Sequence, residues 1–469
     1  MKMWSGRFRQ PLDKDFERWQ RSFPFDRILL PHELAASRAH ARALGLAGIL
    51  SHGELDAILN GLAQIEEKAA SNPNYLEDDE AEDVHHFVEK QLAALIGDTG
   101  YKLHSGRSRN EQIATDLRLY VRANIDVLQI QLADWMESLL DRAEQAGNAA
   151  MPAYTHMQRA EPVLVGHWLQ AYVEMFLRDA SRLSDCRKRL NVCPLGSGAV
   201  AGATLPLDRH EMAAELHFDA PTANSIDATS DRDFVLEFVT ALTHTALHLS
   251  RWAEEMLLFS TQEYAFISLA EAYSTGSSAM PQKKNGDLLE LVRAKAARVL
   301  GYQNALLVTM KGLPLAYNKD LQDTQEPLFE AAHTLLALLP LTTGWMRAVE
   351  FDLETMQQAA QSGFMNAWAA ATYLVGRGVP SRLAHEQVGK AVRLCIEKNC
   401  ALELLSLNEW RAISSAVDEN IFPNLTLPAV LAMHNVAGGT APDHVKSAIK
   451  EARRRVAELR SEAPVATVA

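Results

Sequence analysis

The chain has 469 residues; its 46 Lys and Arg against 59 Asp and Glu give a formal charge of −13, with 48% hydrophobic and 22% charged residues. This is a soluble globular composition, long enough to bury a large core and to hold two or three domains. A negative balance repels phosphate backbones and anionic lipid, which bind through Lys and Arg that displace counterions, so neither nucleic acid nor a membrane surface is an expected partner.

The opening MKMWSGRFRQ has no apolar stretch behind its early Lys, and the longest apolar run, at 335–341, is broken by Pro340. Neither a signal peptide nor a membrane span is expected. Cys186, Cys193, Cys395 and Cys400 form no C-x-x-C pair and are too few to staple so long a chain, which points to a reducing cytoplasm.

The first segment, to about residue 105, includes the acidic stretch LEDDEAEDVHHFVEK and reads as a helical cap. Residues 110–146 then contain neither Gly nor Pro, and Ile125, Leu128, Leu132, Trp135 and Leu139 step by threes and fours, the spacing of one helical stripe. Such a helix is roughly 55 Å long. Comparable runs occupy 162–194, 230–260 and 287–310. A fifth spans 327–363, where Pro340 is expected to kink it. No Val- and Ile-rich alternating stretch separates these runs, so no sheet is needed to cover them. The expected fold is all-α: a cap over 1–105, a long-helix bundle over 106–363 and a second cap over 364–469. Helices this long bury enough area only side by side, and packing of that kind commonly continues across subunits, so a homo-oligomer is expected.

Three polar segments could carry chemistry. AYSTGSSAMPQKKNGDLLELVRAK, at 272–295, places Lys283, Lys284 and Asn285 beside hydroxyls on a Gly- and Ser-rich loop in an acidic chain; it suits an anionic ligand, or is a solvated linker. LHSGRSRNEQ sets Ser108, Arg109 and Asn110 at the start of the longest helix, where Ser108 to Glu111 is a capping box and the two arginines also suit a carboxylate. MPAYTHMQRAEP puts Thr155 and His156 in a turn between Pro152 and Pro162. His244 and His248 have metal-ligand spacing but no third ligand, and no metal is expected. SDRDF, with Arg232, and LAYNKDLQ, with Tyr317 and Gln322, are further compact polar clusters. Dinucleotide, P-loop and α/β-hydrolase signatures are absent.

Taken in order, WSGRF, LHSGRSRN, YTHMQRAEP, SDRDF, GSSAMPQKKN and LAYNKDLQ resemble the argininosuccinate lyase family of the fumarase/aspartase superfamily over essentially the whole chain. The resemblance implies an all-α homotetramer with a shared twenty-helix core and active sites built from three subunits. It implies reversible elimination of argininosuccinate to arginine and fumarate, without metal or organic cofactor. By the same resemblance Ser277 is the base, Lys283 and Asn285 hold the carboxylate whose charge grows, and His156 is the general acid oriented by Glu290. Ser22, His85, Ser108, Arg109, Asn110, Thr155, Tyr317, Gln322 and Arg232 match binding positions. Three residues depart from the pattern: Gly286 stands where Pro is usual, and Thr324 and Gln325 where Asp and Lys are. A sister lyase yielding fumarate from another substrate is the alternative, and a crystallin-like structural protein a more distant one.

Overall fold

The computed structural model describes residues 10–462; the WSGRF motif lies outside them. Five long helices dominate: α1 (Arg109–Ala146), α2 (Val165–Leu190), α3 (Asp233–Phe259), α4 (Asp287–Met310) and α5 (Gln325–Ala348). Each arises where the apolar period runs without a breaker, and the ends are set by local chemistry. At the start of α1, the Ser108 N–H donates to Glu111 Oε1 at 2.9 Å and the Ser108 side chain caps the first turn, satisfying N–H groups that have no helical acceptor.

Helix α5 continues through Pro340 to Ala348. Pro340 has no N–H for the Leu336 carbonyl one turn back, and Gln131 of α1 donates its side-chain amide to that carbonyl at 3.3 Å. The orphaned acceptor is thus satisfied from a neighbouring helix.

The expectation of no strands needs a local correction. Eight short strands form four two-stranded sheets among the described residues. The longest pair is β1 (Ala150–Thr155) and β2 (Gln158–Leu164), antiparallel with Ala150 opposite Leu164 and Thr155 opposite Gln158. Its sequence is poor in strand formers. Burial of Met151 and Leu164 against the bundle, rather than intrinsic preference, holds it. These sheets join helix ends and add no layer.

The core lies between the helices. Trp135, Trp252 and Trp345, from α1, α3 and α5, are fully buried and meet edge to face with ring centroids 4.8 and 5.1 Å apart, which gives large apolar burial and favourable ring geometry at the bundle centre. A separate cluster including Leu374, Val388, Cys395 and Trp410 forms the core of the segment after residue 364. The final helix (Pro442–Glu462) returns to the bundle, where Val445, Ile449, Ala452 and Val456 join the main core and Arg453 pairs with Asp141 and Glu144 of α1. No helix among the described residues is long and apolar enough to cross a membrane.

Candidate active site

The five helices alternate in direction, so the connections between them collect at two ends. At the first end lie the approach to α1, the segment from α2 to α3 and the segment from α4 to α5. Gln322 donates to the Gln20 carbonyl at 3.1 Å, and Arg118 pairs with Asp231. At the second end lie the β1–β2 hairpin, the segment from α3 to α4 and the chain after α5. The Tyr154 and Tyr264 rings meet at 5.7 Å, Arg159 donates to Ser362 Oγ at 2.5 Å, and Ile267 pairs with Phe351. Helix α3 alone, with 27 residues, separates the two ends by about 40 Å.

Ser22, His85, Ser108, Arg109, Asn110, Arg232, Tyr317 and Gln322 all fall at the first end. Ser22 Oγ donates to Asp26 Oδ2 at 2.5 Å and the Val84 N–H donates to Oδ1 at 3.0 Å. Burial, followed by the nearby Asp83 charge, pushes Asp26 up to about 7. Arg109 reaches Asp83 at 2.9 Å and Glu82 at 3.3 Å. The Ser108 oxygen accepts from the Asn110 N–H at 3.3 Å, and the Asn110 side chain donates to the Ala199 carbonyl at 3.3 Å. Ser108 is therefore a helix cap in this chain, whatever else it touches.

Beneath these residues, His85 Nδ1 lies 2.7 Å from Glu33 Oε2, and both residues are buried. Ser37 Oγ donates to Glu33 at 2.7 Å, Gln112 Nε2 at 3.1 Å, and Arg107 stands 3.7 Å away. Burial alone would raise the Glu33 carboxyl and lower the His85 imidazole. Their mutual attraction outweighs it, holding Glu33 ionised and His85 protonated more firmly than in water. Asp116, 3.8 Å from His85, is driven well above the carboxylate range by burial and then by the Glu33 charge. Glu33, His85 and Asp116 offer ligand atoms within 4.8 Å of one another. Because Arg107, Gln112 and His85 already direct donors at Glu33, the arrangement is an ion-pair network rather than a cation cage.

Arg232 is 1% exposed; one Nη donates to the Asp231 carbonyl at 2.7 Å, while Nε and the other Nη have no partner. Burial lowers it to about 10, partly offset by Tyr317 beside it. A buried guanidinium with spare donors is suited to an anion. Thr324, buried, returns its hydroxyl to the Leu321 carbonyl at 2.7 Å, and the buried Gln325 Oε1 has no partner.

Thr155, His156, Ser277, Lys283, Asn285 and Glu290 fall at the second end. The hairpin turns through His156 (φ 53°) and Met157 (φ 60°), a two-residue loop with both central residues left-handed, as the twist of the flanking strands demands. The turn is exposed. The 272–295 loop is drawn into a narrow ribbon by β3 (Thr275–Gly276) and β4 (Lys284–Asn285), with Asn285 Nδ2 donating to the Gly276 carbonyl at 3.3 Å. Ser277 Oγ accepts from the Ala279 and Met280 N–H groups at 3.3 and 3.1 Å, the donor set that stabilises a hydroxyl oxygen as it gains negative charge. Lys283 is exposed, with its backbone N–H on the Met280 carbonyl. Gly286 is buried under Leu257, whose Cδ2 would lie 2.8 Å from an added Cβ. Glu290 sits exposed on the first turn of α4. Among the described residues no hydrogen bond or ion pair joins His156 to Ser277 or Glu290 within one chain.

Sequence reasoning missed Glu33, Asp26 and Asp116. A signal existed: Glu33, Ser37 and His40 recur at helical spacing, and all three land on the buried face of the helix Leu30–Leu46. Of the His244–His248 pair, His248 is hydrogen-bonded to Asp179, Nδ1 to Oδ2 at 2.6 Å.

Fold and motif order together define a helical lyase of the fumarase/aspartase superfamily. The family model described as "Lyase" matches residues 6–301, and that described as "Argininosuccinate lyase C-terminal" matches 364–432. The argininosuccinate lyases of Koribacter versatilis and Acidobacterium capsulatum are each 58% identical to this chain, covering 97% and 98% of it and 98% and 96% of their own lengths. The solved structure of EDDS lyase in complex with formate superposes with a TM-score of 0.83 at 28% identity, covering 98% of this chain and 93% of that one. A class II fumarase from Schistosoma mansoni shares the fold, with a TM-score of 0.74 at 17% identity over 87% of this chain and 91% of its own. The chain belongs to the argininosuccinate lyase family.

Proposed function

We propose that this protein cleaves argininosuccinate reversibly into arginine and fumarate, in active sites shared between the subunits of a cytoplasmic homotetramer. The observation that carries the activity is identity of 58% with argininosuccinate lyases along nearly the whole chain, and the alternative sister lyase is not favoured. Shared sites are supported by geometry. A small-molecule site of several hundred Å³ is about 10 Å across, whereas the two halves of the proposed machinery stand at opposite ends of a bundle whose α3 alone is about 40 Å long. In the proposed assembly the first end of one copy therefore meets the second end of another. Helix α4 supports such packing: Leu289, Val292, Val299 and Leu306 are buried in the chain, while Leu291, Leu300, Leu307 and Val308 are 55%, 42%, 46% and 72% exposed. A helix apolar on both faces is expected where a bundle continues into its neighbours. Five long helices per chain are also what a twenty-helix core of four copies requires.

In the assembled site, Ser277 removes the proton from the carbon next to the succinyl carboxylate, its anion held by the Ala279 and Met280 N–H groups. Lys283 and Asn285 take up the charge that develops on the carboxylate. His156, oriented by Glu290 from the start of α4, delivers a proton to the departing guanidino nitrogen. His85, Ser22, Arg109, Tyr317, Gln322 and the unpaired donors of Arg232 bind substrate at the first end. Ser108, Asn110 and Thr155 belong to the same pocket.

The deciding assay incubates purified protein with argininosuccinate and follows fumarate by its ultraviolet absorbance. Steady fumarate release is expected. Absence of release, with cleavage of adenylosuccinate or aspartate instead, would transfer the protein to the sister-lyase reading.

A further inference from the structure

Helix Ser381–Lys398 ends in a motif unrelated to the proposed active site. Asn399 is left-handed (φ 50°, ψ 51°), its N–H bonds back to the Ile396 carbonyl at 3.2 Å, and the Cys400 N–H bonds to the Cys395 carbonyl at 3.0 Å. This double bond pattern is a Schellman motif, and in it the side chains five apart on either side of the left-handed residue pack against each other. Here both are cysteines. Cys395 is wholly buried in the core of the segment after residue 364, and Cys400, half-buried, packs on that same core from the solvent side. The motif brings two thiols together at a helix end with one of them open to small solutes.

We propose that Cys395 and Cys400 form a reversible dithiol–disulfide site that reacts with hydroperoxides. The Cys400 thiolate attacks a peroxide oxygen, the O–O bond breaks, and Cys400 becomes a sulfenic acid as hydroxide leaves and is protonated. The Cys395 sulfur then attacks that sulfur, the S–O bond breaks, and the Cys395 proton leaves with the hydroxyl as a second water. Two thiols thereby lose two electrons and two protons, and one hydrogen peroxide is reduced to two waters; with an organic hydroperoxide the group that leaves in the first step is the alkoxide, so the products are one alcohol and one water. Exposure selects Cys400 as the attacking thiol. Burial pushes Cys395 up to about 12, with the Cys400 sulfur as the next contributor, so Cys395 does not react first and serves as the resolving partner. Cys186 and Cys193 are also buried and are likewise pushed up to about 12, which leaves them unreactive. Ring closure spans few residues and joins backbones already hydrogen-bonded to each other, so little rearrangement is needed to reach disulfide geometry.

The test uses the folded full-length chain exposed to graded hydrogen peroxide, quenched by alkylation in denaturant and digested with trypsin. Lys398 lies between the two cysteines, so trypsin separates them when reduced and leaves the two peptides linked when oxidised. The expected result is a fall from four titratable thiols to two, a linked 395–400 peptide pair, and full recovery of both thiols with dithiothreitol. In Cys395→Ser, Cys400 should instead progress to irreversible acids, and in Cys400→Ser no thiol should be lost at the same dose. Conversion of wild-type Cys400 to sulfinic or sulfonic acid while Cys395 alkylates normally would overturn the proposal, as would retention of all four thiols.

Discussion

Asp26 is the sharpest test of the buried electrostatics. Its carboxyl is raised from 3.8 to about 7 by burial and then by Asp83. The folded chain therefore holds this proton more tightly than the unfolded chain does. Between about pH 4 and 7 the unfolded form has released it and the folded form has not, so stability falls as pH rises across that window, by about 1.4 kcal/mol per unit and about 4 kcal/mol in all as an upper figure. Asp26→Asn removes the titration. Its amide oxygen still accepts from the Val84 N–H, and Ser22, now facing an NH₂, can accept in place of donating. The variant should match wild type near pH 4 and exceed it increasingly up to pH 8. With an unfolding entropy of about 1 kcal/mol per kelvin for a chain of this length, the gain is about 4 °C in midpoint at pH 8. Scanning calorimetry of both proteins from pH 4 to 8 measures it. Parallel curves, or a variant less stable at pH 8, would refute the assignment of Asp26 as a carboxyl held against its preferred charge. A gain in stability accompanied by weaker substrate binding would fit a group kept strained for function.

Ser277→Ala and His156→Asn should each lower turnover at least roughly a hundredfold, the usual scale of lost acid–base catalysis, while sedimentation is unchanged; wild-type rates in either would remove its proposed role. Subunits of Ser277→Ala mixed and reassembled with subunits of Arg109→Ala should regain activity neither has alone, since some sites then pair an intact first end with an intact second end. Glu33→Gln leaves His85 a hydrogen-bond partner without its charge, so the imidazole should titrate at lower pH by NMR; an unchanged titration would show that Glu33 does not set it. Gln131→Leu strands the Leu336 carbonyl and should destabilise by about 1–3 kcal/mol in urea, with no loss expected if water reaches that acceptor.

The long helices were legible because an unbroken 3.6-residue period is a local property, and 110–146 had to be helical wherever it packed. The capping box at Ser108 was readable for the same reason. The fifth run was legible as a helix passing Pro340, although it ends at Ala348 rather than near 363; how the Leu336 carbonyl is satisfied was not, since the compensating donor is Gln131, 205 residues away in sequence. The β1–β2 hairpin also escaped, because burial against the bundle rather than composition makes those residues extended. Glu33 and His85 are separated by 52 positions, and only the turn of Leu30–Leu46 that buries Glu33, Ser37 and His40 together betrays the network. Chemistry-bearing residues could be named from motifs, but which of them share an end depends on the direction each helix runs.

That division has a consequence for the turn at His156. A non-glycine residue in the left-handed region is strained by about 1 kcal/mol or more, and His156 and Met157 are consecutive residues there. Within the chain, the turn has little to hold it: it is exposed, and Met157 is 61% accessible. The strands fix its twist but give the imidazole no partner. Strain persists at such a position when surrounding contacts over-determine it, and in the proposed shared-site assembly the surroundings of this exposed turn are those of another copy's first end. Association would then do two things with the same contacts, burying Met157 and fixing the ring of His156 where a departing nitrogen needs its proton. The lone chain should accordingly show a mobile imidazole at this turn and the assembled protein a fixed one, a difference that histidine relaxation measurements at increasing protein concentration can follow.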